Sequence, residues 1–172
     1  MIIWGLWIIA AVVLAFGIVV IRGAPYVPSH KSFAKLAFTK LYGLSAKDVL
    51  VDIGSGDGII LRLAASYGAK SIGYELNPIL VIISKFLARG NSRIVVKLAD
   101  FWLVDWPKET TIVYAFAVSR DVDKIARKMQ EFADRAGHDV RLMTYGASLH
   151  TQEPVKVLHA HSLYIFHPLQ RG

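Results

Sequence analysis

The densest chemistry in this chain lies in Asp52-Ile53-Gly54-Ser55-Gly56-Asp57-Gly58, where three glycines alternate with small or acidic residues. Glycines at such spacing let a backbone turn tightly and approach a ligand with no Cβ in the way. A carboxylate, Glu75, stands 21 residues after Gly54 at the end of the next apolar run, followed at once by Leu76 and Asn77. An acid in that position, beside the loop, accepts hydrogen bonds from ribose hydroxyls. Asp100 closes a third run in Leu98-Ala99-Asp100-Phe101.

Two details narrow the ligand. The spacing is G-x-G-x-G, and Ile59 occupies the position that would complete G-x-G-x-x-G. Acids also flank the loop, at Asp52 and Asp57. Carboxylates repel a pyrophosphate and attract a cationic sulfonium and an amino group. Asp100 can accept a bond from an adenine amino group while Phe101 packs on the ring. The set favours S-adenosylmethionine over a nicotinamide dinucleotide.

The elements around these residues read as alternating strands and helices. Apolar runs at 48–53, 70–75, 93–97, 110–116 and 139–144 predict five strands, and 156–159 with 163–167 a closing hairpin. Helices are predicted over 30–42, 59–67, 77–88 and 120–136. Ser29 would cap the first, whose apolar positions Phe33, Leu36, Ala37 and Leu41 share a face. Asn77-Pro78 starts the third, and in the fourth Val122, Ile125, Ala126, Met129, Phe132 and Ala133 form one stripe. This order predicts an α/β domain with a mainly parallel sheet.

At VDIGSGDG (51–58), GYELNP (73–78) and LADF (98–101) the chain resembles the class I S-adenosylmethionine-dependent methyltransferases, which implies a Rossmann-like fold. More narrowly, an apolar N-terminal run, GAPYVPS (23–29), DIGSGDG and ELNP are similar to the small membrane-anchored protein-lysine methyltransferases and their prokaryotic relatives. Known targets of that family are the c-ring protein of a rotary ATP synthase and the adenine nucleotide translocase. The resemblance implies a cofactor loop of Gly54, Ser55, Gly56, Asp57 and Gly58, with Asp52 near the methionine end. It implies Glu75, with Leu76 and Asn77 behind it, at the ribose, and Asp100 with Phe101 at the adenine. Tyr26 is a candidate lid residue. Tyr26, Tyr114 and Phe116 are candidates for lining an amine channel through cation–π contact, and no residue stands out as the base. Tyr114-Ala-Phe116-Ala-Val118 departs from the [Asn/Asp]-Pro-Pro-aromatic motif of DNA-adenine and glutamine N-methyltransferases, which argues against those substrates.

Residues 1–21 carry no charge. As a helix they would span about 31 Å, close to a bilayer core, so a transmembrane helix is expected at 1–21 with Trp4 and Trp7 at one interface. No basic residue precedes the apolar run, which argues against a cleaved signal peptide. Arg22, Lys31, Lys35, Lys40 and Lys47 follow with no acid among them. This basic linker and helix, 22–47, should lie on the cytoplasmic side, or the matrix side in a mitochondrion, and attract anionic headgroups. Residues 48–172 are then the methyltransferase domain.

The formal net charge of +7 is partly explained by a membrane surface, and no basic run with interleaved aromatics supports a nucleic-acid partner. The absence of cysteine excludes disulfides, thiolate zinc sites, Fe–S clusters and a cysteine nucleophile. His159, His161 and His167 have no carboxylate in their run to complete a metal site. The expected activity is therefore methylation of a lysine in a membrane protein by a single-pass membrane enzyme. A lipid or quinone methyltransferase, or a non-catalytic cofactor-binding scaffold, are the alternatives.

Overall fold

A computed structural model describes residues 4–7 and 31–169. Most of the apolar run, the GAPYVPS segment, Arg22, Tyr26 and Ser29 lie outside the described residues. Residues 4–7 are helical, with Trp4 and Trp7 exposed. Among the described residues no helix is long and apolar enough to cross a membrane.

Seven strands form one sheet: β1 (Val49–Ile53), β2 (Lys70–Glu75), β3 (Ile94–Leu98), β4 (Ile112–Ala117), β5 (Val140–Gly146), β6 (Lys156–Leu158) and β7 (His161–Phe166). Their order is β3-β2-β1-β4-β5-β7-β6. The first five pair in parallel, and β7 runs antiparallel between β5 and β6. All five residues of β1 are buried, as a central strand covered on both faces requires. The β6–β7 hairpin is as expected, but β7 begins two residues earlier than the apolar pattern alone indicates. His159 takes a positive φ of 53° in a two-residue turn, which lets Leu158 pair with His161.

The helices are α1 (Lys31–Leu36), α2 (Ile59–Ser66), α3 (Pro78–Leu87) and α4 (Val122–Ala136). One face of the sheet carries α4, whose six expected stripe residues are all buried against Val51, Val113, Leu142 and neighbours. The other face carries α1, α2 and the inner side of α3.

The first helix differs from expectation. It is α-helical only to Leu36 and continues as a π-helical turn over Ala37–Leu41. Ala34, Ala37, Phe38 and Leu41 face the core, whereas Phe33 and Leu36 are exposed. The two alanines let the helix approach α2 closely, and the wider turn brings Phe38 edge-on to Tyr114, 5.9 Å between centroids. This helix packs into the same core as β1 and β4 and is a layer of the domain. The lysines beside it, Lys31, Lys35, Lys40 and Lys47, remain exposed.

Between β1 and β4 the winding reverses: from β1 the chain steps to β2 on one side, while β4 lies on the other. At such a switch point the loops diverge and leave a crevice beyond the carboxyl ends of the strands. The glycine-rich segment leaves β1 there.

Candidate functional site

Gly54, Gly56 and Gly58 all adopt positive φ, at 84°, 54° and 78°. Each conformation is one that side chains rarely tolerate. At Gly54 a Cβ would meet no atom within 4 Å, so the first bend faces open space. At Gly58 a Cβ would fall 2.1 Å from the Ser84 Oγ, so glycine is needed there for packing against α3 as well.

The loop's amides are turned inward. Gly54 and Ser55 donate to the Tyr74 carbonyl at 2.9 and 3.0 Å, and Gly58 donates to the Ser55 carbonyl at 2.8 Å. Gly56 donates to Glu75 Oε2 at 2.8 Å. A loop whose N–H groups are spent on the end of the neighbouring strand β2 and on the loop itself is not a phosphate cradle, which works by aiming those groups at an anion. This supports the distinction drawn from the G-x-G-x-G spacing.

Glu75 is buried at the end of β2, and its other oxygen, Oε1, accepts the Asn77 amide at 2.8 Å. An ionised carboxylate has about four acceptor positions, so two remain after the loop and the helix entry are tied. Asn77 in turn caps α3, its Oδ1 accepting from Ile79 N at 2.9 Å, while its buried Nδ2 has no protein partner. The Ser55 Oγ and Ser84 Oγ are also buried without partners. Leu76 is half-buried between Glu75 and Asn77.

Asp52 is fully enclosed in β1, in register with Gly73 of β2 and Tyr114 of β4. Burial, and then the carboxylates of Glu75 and Asp57, push its carboxyl well above the usual carboxylate range. Asp57 is held differently. Its Oδ1 accepts from Ile59 N at 3.2 Å, and its Oδ2 lies 3.3 Å from Arg62 Nη2. It therefore serves the start of α2 and pairs with a cation one turn on, a pairing that the loop motif did not signal.

Asp100 and Phe101 are brought to Glu75 by main-chain geometry, because Ala99 N donates to the Glu75 carbonyl at 3.0 Å. Asp100 Oδ1 accepts from Trp102 N at 2.9 Å, and the Phe101 and Trp102 rings pack with centroids 4.5 Å apart. Trp102 also carries the Lys124 ammonium 3.9 Å from its centroid. Sequence reasoning missed Trp102, although its place beside Phe101 was the available signal.

The candidate channel residues separate. Tyr114 is 1% exposed. Its Oη lies 3.0 Å from His161 Nε2, and it packs among Phe38 and the apolar residues under α1. It is a core residue and does not line an open channel, because the register that buries β4 leaves its side chain beneath a helix. Phe116, two residues nearer the carboxyl edge, is half-buried and tilts against Tyr145 at 5.9 Å.

Comparison with known proteins agrees with this geometry. The chain is 36% identical over 118 residues to the ATP synthase c-subunit lysine N-methyltransferase of Xenopus laevis, covering 65% of this chain and 50% of that protein. It is 36% identical over 86 residues to the human protein of the same name, covering 47% and 38%. The chain thus spans half or less of the length of these relatives. No family model matches. Among solved structures, an RNA methyltransferase from Salinibacter ruber in complex with S-adenosyl-L-homocysteine superposes with a TM-score of 0.72 at 23% identity, over 85% of this chain and 97% of that one. The 23S rRNA methyltransferase ErmE superposes at 0.54, with 20% identity, over 70% and 48%. At such identities the likeness concerns the fold. The chain is a sequence relative of the ATP synthase c-subunit lysine N-methyltransferases, built on the class I S-adenosylmethionine-dependent methyltransferase fold.

Proposed function

We propose that this protein is a membrane-anchored, S-adenosylmethionine-dependent protein-lysine N-methyltransferase acting on a membrane protein. The observation that carries the cofactor reading is Glu75, whose one carboxylate ties Gly56 and Asn77 and keeps two acceptor positions at the mouth of the loop. The substrate class rests on the sequence relatives, which are named for a lysine of the ATP synthase c-subunit. Anchoring rests on the uncharged run at 1–21 and the basic flank after it.

The residues present fit the cofactor. Glu75 would take the ribose hydroxyls. Asp52, enclosed and protonated more readily than an ordinary carboxylate, would regain its charge opposite an ammonium or sulfonium. Asp100 would accept from the adenine amino group, with Phe101 and Trp102 as the apolar wall. The bound cofactor supplies an electrophilic methyl group on a sulfonium, so the protein's task is chiefly alignment and exclusion of water. A lysine amine must arrive without its proton, since its ordinary pKa is about 10.4. Phe116, near the carboxyl edge of β4, is the remaining described candidate from the channel set, and Tyr26 the candidate lid.

Transfer of a labelled methyl group to isolated membranes tests the reading. Label in a protease-sensitive band supports it. Label in the organic extract would replace it with lipid or quinone methylation. No transfer at all would leave a cofactor-binding scaffold and overturn the enzymatic proposal.

A further inference from the structure

The outer face of α3 and the neighbouring edge strand β3 leave a group of large apolar side chains in water. Ile82, Ile83, Phe86 and Leu87 form one exposed stripe on α3, with Ile82 67% and Phe86 62% exposed. They repeat at i, i+4 on the side opposite Leu80, Val81 and Ser84, which face the core. Leu98, on β3 at the edge of the sheet, is 57% exposed. Soluble surfaces rarely gather this much apolar area without a partner.

The charges around the stripe have one sign. Lys85, Arg89 and Arg93 are all exposed, and the segment that builds this surface contains no Asp or Glu from Leu76 through Ala99, while Lys97 lies on the opposite face of the sheet over the Tyr74 ring. The Arg89 guanidinium lies over the Phe86 ring, 4.2 Å from its centroid. Apolar side chains set among cations and free of acids match an anionic bilayer interface: the apolar groups enter the headgroup boundary while the cations stay with the phosphates. A second copy would set these cations against cations of their own kind, whereas an anionic bilayer offers them phosphates throughout.

We infer that α3 and β3 form a docking surface for an anionic lipid bilayer, separate from the basic segment at 22–47. Glu75 and Asn77 stand at the start of α3. Docking through this surface would hold the mouth of the glycine loop close to the membrane plane, independently of any anchor in the first 21 residues.

The chain lacks cysteine, so a single environment-sensitive fluorophore can be attached at Phe86→Cys in the full-length protein. A second preparation carries it at Arg127→Cys, an exposed position on α4 across the sheet. Each is reconstituted into vesicles of phosphatidylserine and phosphatidylcholine in equal parts, doped with doxyl-labelled lipid. Quenching at position 86 and not at 127 is expected. Lys85→Glu/Arg89→Glu, at two exposed positions, should abolish it, and so should vesicles of phosphatidylcholine alone. No quenching at 86, equal quenching at both positions, or a signal indifferent to charge reversal would overturn the proposal. So would shielding of position 86 without lipid, which would assign the patch to a protein contact. The readout needs no methyl transfer, so it stands or falls apart from the enzymatic reading.

Discussion

The Glu75 carboxylate and the Gly56 backbone amide meet at 2.8 Å across 19 residues of sequence. With the second bond to Asn77, this makes Glu75 the clamp that holds the glycine loop against the entry to α3. The acid expected to bind a ribose therefore also shapes the loop beside it.

Replacing that clamp should be costly even for a near-isostere. In Glu75→Gln one end of the side chain is an NH2 group, which would face a backbone N–H instead of accepting from it. Glu75→Ala loses both anchors and the ribose acceptors together. At about 1.5–3 kcal/mol for each bond to a charged group, Ala should weaken S-adenosylmethionine binding by at least about 100-fold. The Gln variant should fall between the parent and Ala. Calorimetric titration, with NAD as the comparison ligand, measures this. A Gln variant that binds as the parent does would refute the clamp.

Gly58 carries two separable constraints, a positive φ and the approach to Ser84. Gly58→Ala should lose about 1–2 kcal/mol for the left-handed conformation alone, plus the cost of displacing the Ser84 hydroxyl. In Gly58→Ala/Ser84→Ala the second part should return and the first should not. Denaturant melts of the two single variants and the double variant give the coupling, and strict additivity would show that the contact carries no energy.

Stability should fall in mild acid because of His161. Burial, and secondarily the charge of His159, lower its pKa from 6.5 to about 4. The folded ring then stays neutral while the unfolded one takes up a proton, so stability is lost as pH falls from 6.5 towards 4. The whole shift corresponds to about 3 kcal/mol at roughly 1.4 kcal/mol per pH unit. Thermal melts across that window should show the loss, and His161→Gln should flatten it. Tyr114→Phe, which removes the His161 partner, should lower the melting temperature yet leave methyl transfer within about two-fold, since one neutral hydrogen bond contributes about 1 kcal/mol.

Asp52 should give the opposite slope. Its folded pKa is raised by burial and by Glu75 and Asp57, so the folded state holds a proton that the unfolded state releases near 3.9. Stability conferred by the neutral form is present below the unfolded pKa and declines as pH rises through the folded one. A cation at the loop needs the ionised form, so S-adenosylmethionine binding should release a proton and tighten as pH rises. Asp52→Asn should remove both dependences. Titrations in buffers of different ionisation heat count the proton, and unchanged heats would dismiss the assignment.

Local signals along the chain were enough to locate most strands, the glycine bend and the acid at the end of the second strand. Those signals are apolar runs, the 3.6-residue stripe of α4, and glycines that only a special backbone would keep. β2 falls at Lys70–Glu75 as the pattern indicates, and the α4 stripe is buried as expected. The role of Tyr114 came from long-range packing, because its partner His161 lies 47 residues away on a strand inserted antiparallel at the far side of β5. Alternation along β4 placed Tyr114 and Phe116 on one face but held no information about which of them α1 would cover. The same holds for the first helix, where the π turn chose Ala34 and Phe38 for the core over Phe33 and Leu36. The double use of Glu75 was also invisible in one dimension, since it exists only once the parallel pairing of β1 with β2 sets the loop above the strand end.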